Sequence, residues 1–195
     1  DANTFELDED GLLEAARDPQ AALVVVTSPN NPTGNLASVD FVRKLAQATS
    51  ALVLVDEAYA EFCDVQASCV PLVSELPNVC VLRTMSKAYA LAGARVGYLI
   101  CPDDVADAML AVRLPYSVNR MSQVVAETVV EMRAEFAPVI EAVREERSRL
   151  TEALEALAAE LAASLPDGAD GLRVWPSEAN FVMVRFPGQA SGLPC

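Results

Sequence analysis

No histidine occurs among the 195 residues. That absence removes the Ser-His-Asp triad, the Cys-His dyad and every histidine-ligated zinc site from this chain. Lysine is nearly absent too, with only Lys44 and Lys87. Acid–base chemistry must therefore come from these amines, from tyrosine, from carboxylates or from a cofactor. The five cysteines, Cys63, Cys69, Cys80, Cys101 and Cys195, include no C-x-x-C pair. Their odd number and scatter argue for reduced thiols in a cytoplasmic protein rather than a disulfide frame, and no metal site is expected. No apolar run approaches the ~20 residues of a membrane-spanning helix. The acidic start "DANTFELDEDGLLEAARD" lacks the basic-then-apolar order of a secretory leader. Positive charge is scarce: 14 basic residues stand against 28 acidic ones, a net charge of −14. Such a surface repels phosphate backbones, so neither nucleic acid nor a membrane is expected as a partner.

What is present points to a packed protein. Hydrophobic residues make up 52% of the chain, which excludes disorder as the default state. Four short apolar runs are flanked by turn signals: "ALVVVTSP" (22–29), "ALVLVDE" (51–57), "VCVLRT" (79–84) and "VGYLIC" (96–101). Apolar at almost every position, they predict strands covered on both faces. Between the first two, "ASVDFVRKLAQAT" (37–49) places Val39, Val42, Leu45 and Ala46 at helical spacing. Strand, helix, strand in that order predicts an α/β layer with largely parallel strands.

After "RLPYSVN" (113–119) the pattern changes to helices, with a break expected at Pro138. Val139, Val143, Leu150, Leu154, Leu157 and Leu161 trace an apolar stripe, predicting a core-facing or domain-bridging helix. "DGADG" (167–171) reads as a turn and "ANFVMVRF" (179–186) as a strand. The expected division is an α/β unit over 1–115 and the start of a second unit over 116–195. With no initiating methionine and an abrupt end at "ASGLPC", the chain is expected to be a central piece of a longer protein.

Polar residues gather just after the apolar strands: "SPNNPTGN" (28–35), "DEAYAEF" (56–62) and "RTMSK" (83–87). In an α/β sheet, ligands bind outside these strand ends. Each stretch has an ordinary explanation alone. "NNPTG" is turn chemistry, Asp56 suits a helix N-cap, Lys87 can extend into solvent, and Arg95 can join a surface ion pair. Together they answer one chemical need, that of pyridoxal 5'-phosphate. Lys87, alone in the neutral run from residue 84 to 94, offers an amine for the cofactor's aldehyde. A desolvated lysine near cationic groups has a lowered pKa and acts as nucleophile or base. Asp56 can keep the ring nitrogen protonated, and Asn31 and Tyr59 can hydrogen-bond the phenolic oxygen. Thr84, Ser86 and Arg95 can hold the phosphate, Arg95 by a bidentate contact.

"SPNNPTGN", "VLVDEAYAEF" and "TMSKAYALAGARVGYL" resemble the class I/II aminotransferases of the aspartate-aminotransferase fold, above all the histidinol-phosphate aminotransferases. "RLPYSVN" and "SEANFVMVRF" extend the likeness over nearly the whole chain. The resemblance implies fold type I: a large-domain α/β sheet with part of a smaller C-terminal α+β domain. It implies Lys87 as the Schiff-base lysine, Asp56 at the pyridine nitrogen, and Asn31 and Tyr59 at the phenolic oxygen. Thr84 and Arg95 fall at the phosphate, with Ser86 as a weaker addition. A homodimer that transfers an amino group between histidinol phosphate and 2-oxoglutarate in histidine biosynthesis is the implied activity. The same motifs serve aromatic aminotransferases and related decarboxylases, because they bind the cofactor and do not choose the substrate. A non-catalytic piece of the fold is the remaining alternative. The family's phosphate-binding turn, ring-stacking aromatic and substrate-carboxylate arginine find no match here, and Arg185 is not given the last role.

Overall fold

The computed structural model describes residues 4–164 and 171–186. All but Gly171 of the turn expected at 167–171, and Cys195, lie outside the described residues. Four strands form the main sheet in the order β1 (Leu23–Thr27), β2 (Leu52–Asp56), β3 (Val79–Thr84) and β4 (Gly97–Ile100). The first three are parallel, with Thr27 beside Asp56 and Asp56 beside Leu82. β4 runs antiparallel to β3, pairing Val81 with Ile100 and Thr84 with Gly97. The α/β layer is thus as expected, with one strand reversed.

Two helices precede and cross the first pair of strands. α1 (Glu9–Ala16) starts where the Asp8 carboxylate accepts from the Gly11 amide at 3.0 Å. α2 (Val39–Ala48) starts at Ser38, whose hydroxyl accepts from the Phe41 amide at 3.1 Å. Such caps satisfy amides that a helix start otherwise leaves open. α2 buries Phe41, Val42, Leu45 and Ala46, while Val39 packs at their edge. They meet Val24, Val26, Val53, Val55, Val79 and Val81 from the sheet, with Leu72 also in the core. Each fully buried side chain of this size contributes about 1.5–3 kcal/mol.

Coverage of both faces is observed in β3, where Val79, Cys80 and Val81 are all buried, but not in β1. Val24 and Val26 are buried, but Leu23 and Val25, which alternate with them, are 52% and 53% exposed. The packed face is the one that meets α2, and among the described residues nothing buries the other side chains of β1. Continuous apolarity in that strand therefore says nothing about which layer lies on its second face.

The later helices correct two expectations. α3 (Asp103–Val112) was not signalled by the apolar pattern; α4 (Arg120–Glu131) and α5 (Arg133–Ala162) follow. The break falls at Met132, and Pro138 lies inside α5. As the sixth residue of α5, the proline forfeits the amide bond to the Ala134 carbonyl without ending the helix. No residue of α5 is buried, and Val139, Leu150 and Leu157 of the expected stripe are exposed. The packing face is turned toward Ile140 and Val143, which meet the cluster of Tyr59, Phe62, Ala88 and Ala179. Arg144 donates to the Phe62 carbonyl at 3.1 Å, and Arg147 donates to the Ala179 carbonyl at 3.0 Å. Two arginines thus do part of the docking that the apolar stripe alone was expected to do.

The strand expected over 179–186 shrinks to β6 (Val184–Arg185), paired antiparallel with β5 (Arg173–Val174). Its first residues bend instead, because their neighbours bond elsewhere: the Glu178 amide donates to the Gly34 carbonyl at 2.8 Å, and the Ala179 amide to Ser177 Oγ at 3.1 Å. The segment is tied to the loop after β1.

Candidate active site

Because β1, β2 and β3 are parallel, their last residues Thr27, Asp56 and Thr84 share one edge of the sheet. The ladder runs one step further before the loops separate: Ser28 N–H donates to the Asp56 carbonyl and Glu57 N–H to that of Leu82, both at 2.9 Å. The three loops singled out in the sequence therefore leave from neighbouring points.

The first loop is a tight turn. Gly34 N–H donates to the Asn30 carbonyl at 2.7 Å, and Gly34 takes φ +78°, which side-chain-bearing residues rarely adopt. A Cβ there would sit 2.4 Å from Ser177 Oγ. Glycine is therefore needed both for the turn and for the approach of the 175–179 segment. The turn leaves Asn31 exposed, and its amide donates to Tyr59 Oη at 2.8 Å.

Tyr59 is buried and central. Its ring meets Phe181 edge-on with centroids 5.2 Å apart, and Lys87 Nζ lies 5.2 Å from the Tyr59 centroid. One tyrosine therefore links Asn31, Lys87 and the 179–181 bend. Phe181 was not marked as a site residue in the sequence, where it read as one position of a strand. Asp56 does not cap a helix. Its Oδ1 accepts from the Ala58 amide at 3.1 Å and fixes a local turn before the 3₁₀ turn at Ala60–Phe62.

On the third loop, Thr84 Oγ1 accepts from the Ser86 amide at 3.1 Å and lies 3.0 Å from Ser86 Oγ, so the two hydroxyls point together. Arg95 sits in left-handed conformation at φ 55°, ψ 46°, and its guanidinium donates to the Ala92 carbonyl at 3.1 Å. A cavity of about 380 Å³ is lined by Asp56, Thr84, Ser86, Lys87 and Arg95 together. Asn31 and Tyr59 do not line it; they join the cluster through the contact of Tyr59 with Lys87. The expectation of a desolvated amine fails, since Lys87 is exposed.

Sequence reasoning missed the charged network beneath this edge. Glu57, 1% exposed, pairs with Arg83 at 2.6 Å and also accepts from Ser68 Oγ at 3.0 Å. Arg83 also pairs with Glu61 at 2.9 Å. Burial alone would lower the Arg83 pKa, but the carboxylates of Glu57 and Glu61 raise it above the ordinary arginine value. Only the register shows the pair, because Asp56 beside Leu82 puts Glu57 next to Arg83. Arg83→Leu strands a buried carboxylate and is expected to cost about 3–5 kcal/mol. Urea denaturation checks this, with the Glu57→Gln/Arg83→Leu double variant expected to recover part of the loss. Equal midpoints for wild type and Arg83→Leu would contradict it.

An α/β sheet that gathers an amine, a carboxylate, two hydroxyls and a guanidinium around one cavity at its strand ends has the layout of a class of proteins that bind small molecules at that edge. The family model described as "Aminotransferase class I and II" matches residues 1–191. The chain belongs to the class I and II aminotransferase family. It is 38% identical over 181 residues to the histidinol-phosphate aminotransferase of Chlorobium luteolum, covering 93% of this chain and 47% of that protein. Against the protein of the same name from Thermobifida fusca it is 39% identical over 189 residues, covering 96% and 48%. The chain thus spans about half the length of the curated relatives it matches. Among solved structures, the histidinol-phosphate aminotransferase of Sinorhizobium meliloti in complex with pyridoxal-5'-phosphate superposes with a TM-score of 0.76 at 31% identity, covering 91% of this chain and 46% of that one. A decarboxylase from Sulfurospirillum multivorans gives a TM-score of 0.75 at 25% identity, covering 96% and 52%. The fold is that of the fold type I transferases.

Proposed function

We propose that this chain carries the cofactor-binding edge of a pyridoxal-phosphate-dependent aminotransferase acting on histidinol phosphate and 2-oxoglutarate. The cavity that brings Lys87 together with Asp56, Thr84, Ser86 and Arg95 is the observation that carries the reading. The donor set fits the group. Lys87 would bond to its aldehyde carbon, and Asp56 would hold a proton on its ring nitrogen. The amide of Asn31 and the hydroxyl of Tyr59, already 2.8 Å apart, would share its phenolic oxygen. The paired hydroxyls of Thr84 and Ser86, with the Arg95 guanidinium, suit a phosphate dianion. When bound, pyridoxal phosphate supplies an electron-withdrawing ring that stabilises negative charge at the carbon bearing the amino group. Lys87 is the one amine at this edge available to hold or move a proton there.

The names of the relatives at 38% and 39% identity support histidinol phosphate as amino donor and a role in histidine biosynthesis. A cytoplasmic homodimer, divided into a cofactor-binding unit over 1–115 and the start of a smaller unit over 116–195, belongs to the same proposal. Among the described residues no helix is long and apolar enough to cross a membrane. An aromatic amino-acid aminotransferase or a decarboxylase is the second reading, and the similarity to the Sulfurospirillum multivorans decarboxylase favours the latter of the two.

The test compares donors in protein treated with pyridoxal phosphate, following the cofactor's absorbance as an amino group is transferred to 2-oxoglutarate. Histidinol phosphate is expected to exceed phenylalanine and tyrosine in kcat/KM by about tenfold or more. Faster turnover of the aromatic donors, or release of carbon dioxide without amino transfer, would select the second reading. A bound-cofactor band that no donor converts would mark a chain that binds without turning over.

A further inference from the structure

Two cysteines face each other across the strands that flank the third loop. Val81 pairs with Ile100 in the antiparallel β3–β4 ladder, so the next position outward sets Cys80 opposite Cys101. The hydrogen-bond parity of that ladder can be read from its other end, where Met85 N–H donates to the Val96 carbonyl at 3.1 Å. That makes 85 and 96 a bonded pair, and bonded and open pairs alternate along an antiparallel ladder. Counting along the register, 84/97 is open, 83/98 bonded, 82/99 open and 81/100 bonded, and the same alternation carried one step past the end of β4 makes 80/101 open. Residues of an open pair have Cα atoms about 4.5 Å apart, with side chains closer than in a bonded pair. A disulfide needs a Cα separation of roughly 4.4–6.8 Å. An open pair with that spacing meets the backbone requirement of a cross-strand bridge.

We propose that Cys80 and Cys101 form a redox-active dithiol, a site of reversible disulfide formation that clamps the base of the loop carrying Thr84, Ser86, Lys87 and Arg95. Side-chain interaction between the two supports the placement: burial first, and then Cys101, push the Cys80 thiol up to about 11. Accessibility divides the roles. Cys80 is 0% exposed, whereas Cys101 is half-buried and is the sulfur that an external disulfide can reach. The Cys101 thiolate attacks one sulfur of a small disulfide, oxidised glutathione for example, and one glutathione thiol leaves. Cys80 then loses its proton, its sulfur attacks Cys101 Sγ, and the second glutathione thiol leaves. Two protein thiols become one disulfide as one small disulfide becomes two thiols, so two electrons pass from protein to glutathione. The other buried cysteines have no such partner in register. Cys63 and Cys69 are each pushed up to about 12, chiefly by burial, and are not expected to react in the folded chain.

The experiment holds folded, reduced protein in buffers of increasing oxidised-to-reduced glutathione ratio, quenches with acid, then alkylates and maps peptides under denaturing conditions. The expected product is one cross-link, Cys80 to Cys101, with both of those thiols lost and with Cys63 and Cys69 still alkylated. Cys101→Ser should abolish it, whereas Cys63→Ser should leave its midpoint ratio unchanged. Cys80 and Cys101 remaining thiols at every ratio would overturn the proposal. So would Cys101 ending as a stable mixed disulfide with glutathione, or a bridge that joins either cysteine to a different partner.

Discussion

Lys87→Ala is expected to abolish amino transfer and covalent retention of pyridoxal phosphate while leaving the protein folded. Chemistry and stability separate cleanly at this position. Lys87 is exposed, and its ammonium lies over the Tyr59 ring, 5.2 Å from Nζ to centroid. An exposed cation–π contact of that kind contributes about 0.5–1 kcal/mol, so the melting temperature should move by only a few degrees. Lys44 cannot substitute, because it sits exposed on α2, away from the three strand-end loops. No histidine stands by to take over the proton transfer. Turnover should therefore fall below detection, and gel filtration should strip the cofactor from the variant but not from the wild type. Retained turnover would remove Lys87 from the chemistry. A loss of activity matched by unfolding would show that the residue is structural.

Asp56→Asn is the second large effect. The Asp56 carboxylate does two things that this substitution separates. Its Oδ1 accepts from the Ala58 amide at 3.1 Å, and an asparagine carbonyl oxygen can accept the same bond. The turn is thus retained, and the stability change should stay under about 1 kcal/mol. What disappears is the negative charge at the wall of the cavity. Without it a bound ring nitrogen is no longer held protonated, and the negative charge that develops on the substrate carbon loses much of its stabilisation. Removing a preorganised electrostatic partner of this type typically costs about 10²–10³ in rate. Single-turnover rates and denaturation midpoints measured on the same variant decide between the roles. A normal rate in Asp56→Asn, with a stability loss confined to Asp56→Ala, would leave Asp56 as a turn anchor alone.

The sequence made the strand ends legible because parallel strands concentrate polar residues at one edge, and Asp56, Thr84 and the loop at 28–35 stood out against apolar runs. Of the seven candidate residues, five line one cavity, Tyr59 lies against Lys87, and Asn31 reaches the cluster only through its bond to Tyr59. Features that depend on pairing were not legible. Glu57 and Arg83 become partners only through the β2–β3 register, and Cys80 meets Cys101 only through that of β3 and β4. Reversal of β4 carried no compositional mark either, since "GYLI" is as apolar as its neighbours. The α5 face was misjudged because leucines advertise burial more loudly than arginines, yet Arg144 and Arg147 dock it by bonding to carbonyls. Proline at 138 reads as a break because it forfeits an amide bond, yet α5 carries it as its sixth residue and the break falls at Met132.

Borohydride reduction of the protein mixed with pyridoxal phosphate, followed by peptide mapping, tests the central assignment most directly. Reduction fixes the cofactor to whichever amine it is bonded to, and this chain offers two lysine side chains. The account predicts a stoichiometric label on Lys87 and background labelling of Lys44. A label on Lys44, or on neither lysine, would contradict it.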